Sequence, residues 1–197
     1  KKAGSPRSPF SAAFLKSQSP EGSCFVIGDT GLTNALYDAG LTMNEVNPDY
    51  VVVGESHNYT YARIQEAVHL VMRGAKLIGT NPDVTGPSND GIVPATGALM
   101  APITLATGRE PYYVGKPNPL IMRHALRRLG ARREETAIVG DRMDTDIAAG
   151  TEAEIETVLV LSGVTDDDEL KRFAYQPNHV LPGVGDIVRL VEGPDPG

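Results

Sequence analysis

The chain has 197 residues, 41% of them apolar and 22% charged, with a formal net charge of −7. That length allows one domain or two small ones. The acidic balance argues against a protein that reads nucleic-acid phosphates through a basic face. No run of about 18 apolar residues is present to span a membrane, and no signal peptide is expected from the first residues. Cys24 is the single cysteine, so neither an intrachain disulfide nor a thiolate metal cluster can form. A reducing, cytoplasmic location fits that count.

Lys1 to Ser8 (KKAGSPRS) resembles the scar left by recombination cloning and is set apart from the fold reasoning. The natural residues are then expected to begin partway into a longer gene product. Ser11 to Leu15 reads as a short helical fragment. Cys24-Phe25-Val26-Ile27 reads as a strand, Gly28-Asp29-Thr30-Gly31 as a turn, and Leu32 to Ala39 as a helix closed by Gly40. Tyr50 to Val53 is a second strand. Ile64, Ala67, Val68 and Val71 keep helical spacing, which predicts a helix over Tyr61 to Arg73 with Gly74 ending it. Lys76 to Gly79 is a strand leading into Thr80-Asn81-Pro82-Asp83. Val84 to Pro94 is rich in Gly, Pro, Ser, Asn and Asp and reads as a loop. Gly97 to Thr107 reads as a helix.

Tyr112-Tyr113-Val114 is the next strand, followed by Gly115-Lys116-Pro117. Pro117 suits the first turn of a helix. Met122, Leu126 and Leu129 form its apolar stripe, and Gly130 closes it. Thr136 to Val139 is a strand that runs into Gly140-Asp141-Arg142-Met143-Asp144-Thr145-Asp146. A short helix over Thr145 to Ala149, a strand over Thr157 to Leu161 and a helix opened by Asp166-Asp167-Asp168 follow. Gly193 to Gly197 should be a loose tail. Strands alternate with helices throughout, which predicts parallel sheets covered by helices. A boundary near Gly108 divides the chain into units of about 18–107 and 108–192.

In open α/β sheets, ligands sit at the carboxyl ends of the strands. The predicted strands therefore deliver Lys116 and a group of aspartates to one sheet edge. Carboxylates hold a hard metal ion through oxygen, and a lysine holds phosphate as a point charge. That combination suits a phosphate together with a divalent cation.

Four pieces carry a resemblance: IGTNPD, YYVGKPNPLIMRHAL, TAIVGDRMDTDIAAG and ETVLVLSGVT, in that order. With them the chain resembles the haloacid dehalogenase (HAD) superfamily of phosphatases, in the branch of NagD and the p-nitrophenylphosphatases, which includes nucleotide, phosphoglycolate and pyridoxal phosphatases. The likeness covers nearly all of the chain after residue 8. It implies an α/β fold: a Rossmann-like HAD core, of which only the C-terminal part is present, with an inserted α/β cap domain of the C2 type. Residues 9–17 would be a remnant of the core, 18–107 the cap, and 108–192 the rest of the core. Members hydrolyse phosphate monoesters with Mg²⁺ through an aspartyl-phosphate intermediate. By resemblance, Lys116 neutralises the phosphoryl group and the nucleophilic aspartate. Asp141 is the metal ligand, and Asp146 supports the metal site as a second acidic residue. Asn81, Asp83 and Asn118 are candidates for substrate contact. Expected partners are small phosphorylated metabolites, of the nucleotide monophosphate or sugar and glycolate phosphate class, with no nucleic acid and no membrane. Self-association through the cap or an open sheet edge is a further expectation.

The family's first motif, Asp-x-Asp-Gly after an apolar strand, supplies nucleophile and general acid/base. Its second, a Thr or Ser, binds phosphate. Both are expected upstream of the cap, and neither is found in this chain. Asp29 follows a strand but stands alone and falls in the cap-like region. Without a nucleophile the covalent route is closed. The alternative is therefore a catalytically inactive fragment that binds phosphate or self-associates. Glu154 stands where the family usually has glycine. If that position needs φ > 0, it carries about 1 kcal/mol of strain. Simpler readings stand beside several residues. Asp144 reads as a capping or solvent residue, and Asn81 and Asp83 could simply build a turn. His57, His69, His124 and His179 lack metal-ligand spacing. The arginines at 123, 127, 128, 132 and 133 read as a solvated helix face.

Overall fold

The computed structural model describes residues 7–89 and 91–188. Residues 1–6 of the suspected cloning scar and the tail at 193–197 lie outside them. The chain divides into two compact units, one ending at Gly115 and the other beginning at Lys116. Among the described residues, no helix is long and apolar enough to cross a membrane.

The first unit runs α1 (Arg7–Gln18), β1 (Ser23–Ile27), α2 (Thr30–Asp38), β2 (Thr42–Met43), β3 (Tyr50–Val53), α3 (Tyr61–Met72), β4 (Lys76–Gly79), β5 (Thr85–Ser88), β6 (Gly91–Pro94), α4 (Thr96–Thr107) and β7 (Tyr112–Tyr113). Its main sheet has the order β2-β1-β3-β4-β7 with every pairing parallel. A parallel sheet needs both faces covered, and the strands read accordingly as unbroken apolar runs. Phe25, Ile27, Val51 and Val53 bury one face against Ala67 and Leu70 of α3 and Met100 and Ile103 of α4. Asp49 and Ser23 tie the starts of β3 and β1 together: Asp49 Oδ2 accepts from Ser23 N and Oγ, both at 2.8 Å.

Two placements differ from the sequence reading. Helix α1 packs into the first unit instead of the second, with Ala12 and Leu15 buried and Lys16 Nζ donating to the Gly40 carbonyl at 2.9 Å. Strand β7 is the last strand of the first sheet. Tyr112 and Tyr113 pair with Ile78 and Gly79, and a Cβ on Gly79 would overlap the Tyr113 ring. The division therefore falls at residue 115, not near Gly108. The stretch read as a loop, Val84 to Pro94, holds the antiparallel ribbon β5–β6. Seven of its eight strand residues are exposed. With no buried face, it has no apolar alternation to reveal it.

The second unit runs α5 (Pro119–Leu129), a 3₁₀ turn at Arg133–Glu135, β8 (Ala137–Gly140), a π-helical turn at Met143–Ile147, α6 (Ala148–Glu152), β9 (Glu156–Val160), α7 (Asp167–Leu170), β10 (His179–Leu181) and a last 3₁₀ turn at Val184–Asp186. Its sheet is β10-β9-β8, again parallel. Pro117 lies ahead of the helix it was expected to open. Asn118 is the cap of α5, and Pro119 takes the first turn. Strand β10 was not foreseen. Asn178 leads into it by accepting from Thr157 N at 2.9 Å and Thr157 Oγ1 at 2.8 Å. Met143, Ile147 and Leu159 form the buried cluster, with Phe173 and Tyr175 packed against it. Strand β8 is a sheet edge, and helix α5 has no fully buried residue; Leu129 of its predicted stripe is exposed.

Glu154 has φ 55°, the single positive φ at a non-glycine among the described residues. A side chain in this region costs about 1–2 kcal/mol. Its ion pair with Arg133 is exposed on both sides and screened by water, so it offsets little of that. Glu154→Gly is expected to stabilise the chain by about 0.5–1 kcal/mol, raising Tm by about 1–4 °C in thermal denaturation. An unchanged or lower Tm would show that the ion pair outweighs the backbone strain.

Candidate active site

The second unit brings Lys116, from ahead of α5, to the loop that leaves β8, which carries Asp141 and Asp146. After Gly140 the chain passes Asp141 and Arg142 and enters the π-helical turn. That turn folds Asp146 back against the strand end. A Cβ on Gly140 would overlap the Asp146 carboxylate, so only glycine lets the two meet. Arg142 N donates to Asp146 Oδ2 at 3.2 Å, and Asp146 N donates to the Arg142 carbonyl at 3.0 Å. The other carboxylate oxygen, Oδ1, is ion-paired with Lys116 Nζ. Asp146 is only 4% exposed. A carboxylate this buried stays charged only with a partner and hydrogen bonds. Lys116 and Arg142 N supply both.

Asp141 is held differently. Its Oδ2 accepts from Val164 N at 3.0 Å, and its carbonyl accepts from Thr165 N at 3.0 Å. A Cβ on Gly163 would overlap the Asp141 carboxylate. Thr165 Oγ1 in turn accepts from Met143 N at 3.2 Å, and Tyr175 Oη donates to the Met143 carbonyl at 2.7 Å. The loop after β9 therefore braces the loop after β8. Asp141 Oδ1 takes part in no hydrogen bond among the described residues, which leaves one hard oxygen for a cation. No group of three His, Cys, Asp or Glu able to hold a metal occurs among the described residues. The chain's own donor set thus fits Mg²⁺ as a partial site: one carboxylate, with the remaining positions for water and phosphate, as Mg²⁺ commonly binds.

The other candidates have local partners. Asp144 is exposed, and Arg142 grips it with Nε at 3.0 Å and a terminal nitrogen at 2.7 Å. Asn118 Oδ1 accepts from Leu120 N at 3.0 Å as the α5 cap. In the first unit, Asn81 follows the carboxyl end of β4 and is buried; its Oδ1 accepts from Asp83 N at 3.1 Å. Gly97 N donates to the Asp83 carbonyl at 2.8 Å. Asn81 and Asp83 thus build the turn whatever else they do. Cys24 is buried in β1, and burial, with the Asp49 charge as a lesser cause, pushes its thiol up to about 12. It is no nucleophile at neutral pH. Gly140, Gly163 and Thr165 were missed as site residues. The two glycines carried a signal, each at the end of one of two adjacent strands or just beyond it; Thr165 carried none.

Removing Lys116 strands the Asp146 charge. Lys116→Ala is expected to cost about 2–4 kcal/mol in urea unfolding, below the full range for buried pairs because the lysine is partly exposed. Lys116→Ala combined with Asp146→Ala should cost less than the sum of the single changes, with about 1–3 kcal/mol of coupling. Additive costs would show that the pair contributes nothing.

Residues 113–187 match the family described as HAD-hydrolase-like. The chain is 51% identical over 183 residues to the dihydroxyacetone phosphatase of Corynebacterium glutamicum (strain R), covering 93% of this chain and 66% of that protein. It is 45% identical over 176 residues to the ribonucleotide monophosphatase NagD of Escherichia coli (strain K12), covering 89% of this chain and 69% of that protein. Among solved structures it superposes on a 4-nitrophenylphosphatase from Thermotoga maritima with a TM-score of 0.88 at 34% identity, over 93% of this chain and 70% of that one. For NagD from E. coli K-12 the TM-score is 0.83 at 43% identity, over 91% and 70%. The chain spans about two thirds of the length of the curated relatives it matches. It belongs to the HAD-like hydrolases, in the branch of the NagD and p-nitrophenyl phosphatases.

Proposed function

We propose that this chain carries the lysine and the metal-binding carboxylate of a Mg²⁺-dependent phosphate-monoester hydrolase. The observation behind this reading is the Lys116–Asp146 pair beside Asp141 on the loop after β8. An ammonium has three N–H donors. Asp146 takes one and aims the group, and the others remain for phosphoryl oxygens. Lys116 would hold the developing charge on the transferred group, a stabilisation that acts without reorganisation because the partner is already in place. Asp141 Oδ1 would hold Mg²⁺. When bound, the ion supplies charge neutralisation of phosphoryl oxygens. Val164 N–H keeps the other oxygen of Asp141 occupied, so the carboxylate presents one direction. The substrates would be small phosphorylated metabolites, in keeping with relatives named for dihydroxyacetone phosphate, ribonucleotides and acid sugars. Asn81 and Asp83, at the end of β4, are proposed to contact them. A cytoplasmic location is part of the same reading.

A second reading has its own support. The 197 residues contain no Asp-x-Asp-Gly, and β8 is an edge strand with Val139 40% exposed. Taken alone, the chain would then bind phosphate or pair through that edge without turning over substrate. Loss of a nucleophile costs other covalent enzymes up to about a million-fold in rate.

Hydrolysis of p-nitrophenyl phosphate by this purified chain, with and without Mg²⁺ and beside Asp141→Ala, separates the two. We expect no Mg²⁺-dependent turnover above the variant, together with inorganic phosphate binding that Lys116→Ala abolishes. Turnover lost in Asp141→Ala would place a nucleophile within these residues, with Asp29 the first to substitute. Phosphate binding indifferent to Lys116→Ala would overturn the assignment of the lysine.

A further inference from the structure

The first unit contains a cavity of about 550 Å³ whose lining includes none of the residues proposed to act on phosphate. Its size is that of a small-molecule site. Tyr50 and Lys76, the first residues of β3 and β4, contribute to its lining. It therefore draws on the amino ends of these strands, whereas Asn81 follows the carboxyl end of β4. Phe14, Leu15, Val71 and Ile78 give it an apolar body, and Phe14 stacks on Tyr112 with ring centroids 5.4 Å apart.

The charged lining is unequal. Lys76 and Arg109 both contribute, against Glu110 alone. Neither cation is within ion-pair distance of a carboxylate among the described residues. The Lys76 ammonium lies over the Tyr50 ring, 5.6 Å from its centroid, and its charge, after the Ser23 hydrogen bonds, helps hold the Asp49 carboxyl below its usual range. An apolar cavity with a stacked aromatic pair and two cations outside ion-pair distance of any described carboxylate matches a flat ligand bearing one negative charge. We infer that this cavity is a binding site for a small aromatic carboxylate, with the ring against Phe14 and Tyr112 and the carboxylate on Lys76 and Arg109. Glu110 is then an acceptor for a hydroxyl or amine on the same ligand. The site is independent of Lys116 and Asp141.

The test is calorimetric titration of the full chain with 2-naphthoate and with its neutral counterpart, 2-naphthamide. One-to-one binding of the acid is expected, with the amide weaker by about tenfold or more, the usual worth of a hydrogen bond to a charged group. The double change Lys76→Met with Arg109→Met should abolish that preference. Met72→Trp should block the cavity against both compounds; Met72 lines it yet is 63% exposed, so its enlargement leaves the fold intact. Circular dichroism of each variant checks this. No saturable binding of 2-naphthoate to the unmodified chain would overturn the inference. So would a preference that survives loss of both cations, or affinity unchanged in folded Met72→Trp.

Discussion

Asp146 holds a negative charge almost out of reach of water, and that charge must be answered locally. Lys116 answers it from one side and the Arg142 N–H from the other. The backbone is shaped to permit this. Gly140 leaves room for the carboxylate, and the π-helical turn delivers it there with one residue more per turn than an α-helix would spend. A widened turn of this kind is common where a side chain must be aimed. The cost of burial falls on Asp146, and the gain is a lysine with a set direction. In the proposed phosphate site, direction matters, because a mobile ammonium would pair with solvent or substrate in many geometries.

Asp141 shows the complementary solution. It is less buried, and the loop after β9 holds it by one backbone N–H and leaves an oxygen available. Gly163 acts on this carboxylate through close approach alone, and Thr165 N holds the Asp141 carbonyl. The two aspartates thus have opposite roles despite sitting five positions apart. One is enclosed to orient a cation of the chain itself, and the other keeps an oxygen that takes no hydrogen bond among the described residues, the one proposed to hold a metal ion. Environment, not residue type, separates them.

Much of this was legible in the residues. The apolar runs at β1, β3, β4 and β9 are buried on both faces, so composition alone marked them. The glycines at 40, 74 and 130 end helices at positive φ, a conformation with a steric reason to select that residue. The family resemblance marked Glu154 as standing where glycine is usual, and its φ of 55° bears that out. Less was visible where no face is buried. The β5–β6 ribbon is almost wholly exposed, β2 has only two residues, and β10 is set by Asn178 bonding to Thr157 across 21 positions. Short exposed strands are specified by their partners, and a partner far along the chain leaves no local pattern.

The sequence by itself determined the alternating α/β order and the acidic, single-cysteine chemistry, and its resemblance to the HAD phosphatases singled out Lys116, Asp141 and Asp146 as candidates. The order follows from periodicity and from glycine and proline sterics. Only the tertiary structure decided which sheet β7 joins, because a two-residue apolar strand fits either edge and hydrogen-bonding partners choose between them. Only it decided that Lys116 is directed by Asp146 while Asp141 keeps an oxygen open, since both outcomes depend on strand ends that meet in space and not in sequence. The cavity beneath Phe14 and Tyr112 belongs to the same class. Its walls come from α1, α3, β3, β4 and β7, and no stretch of the chain holds enough of them to announce it.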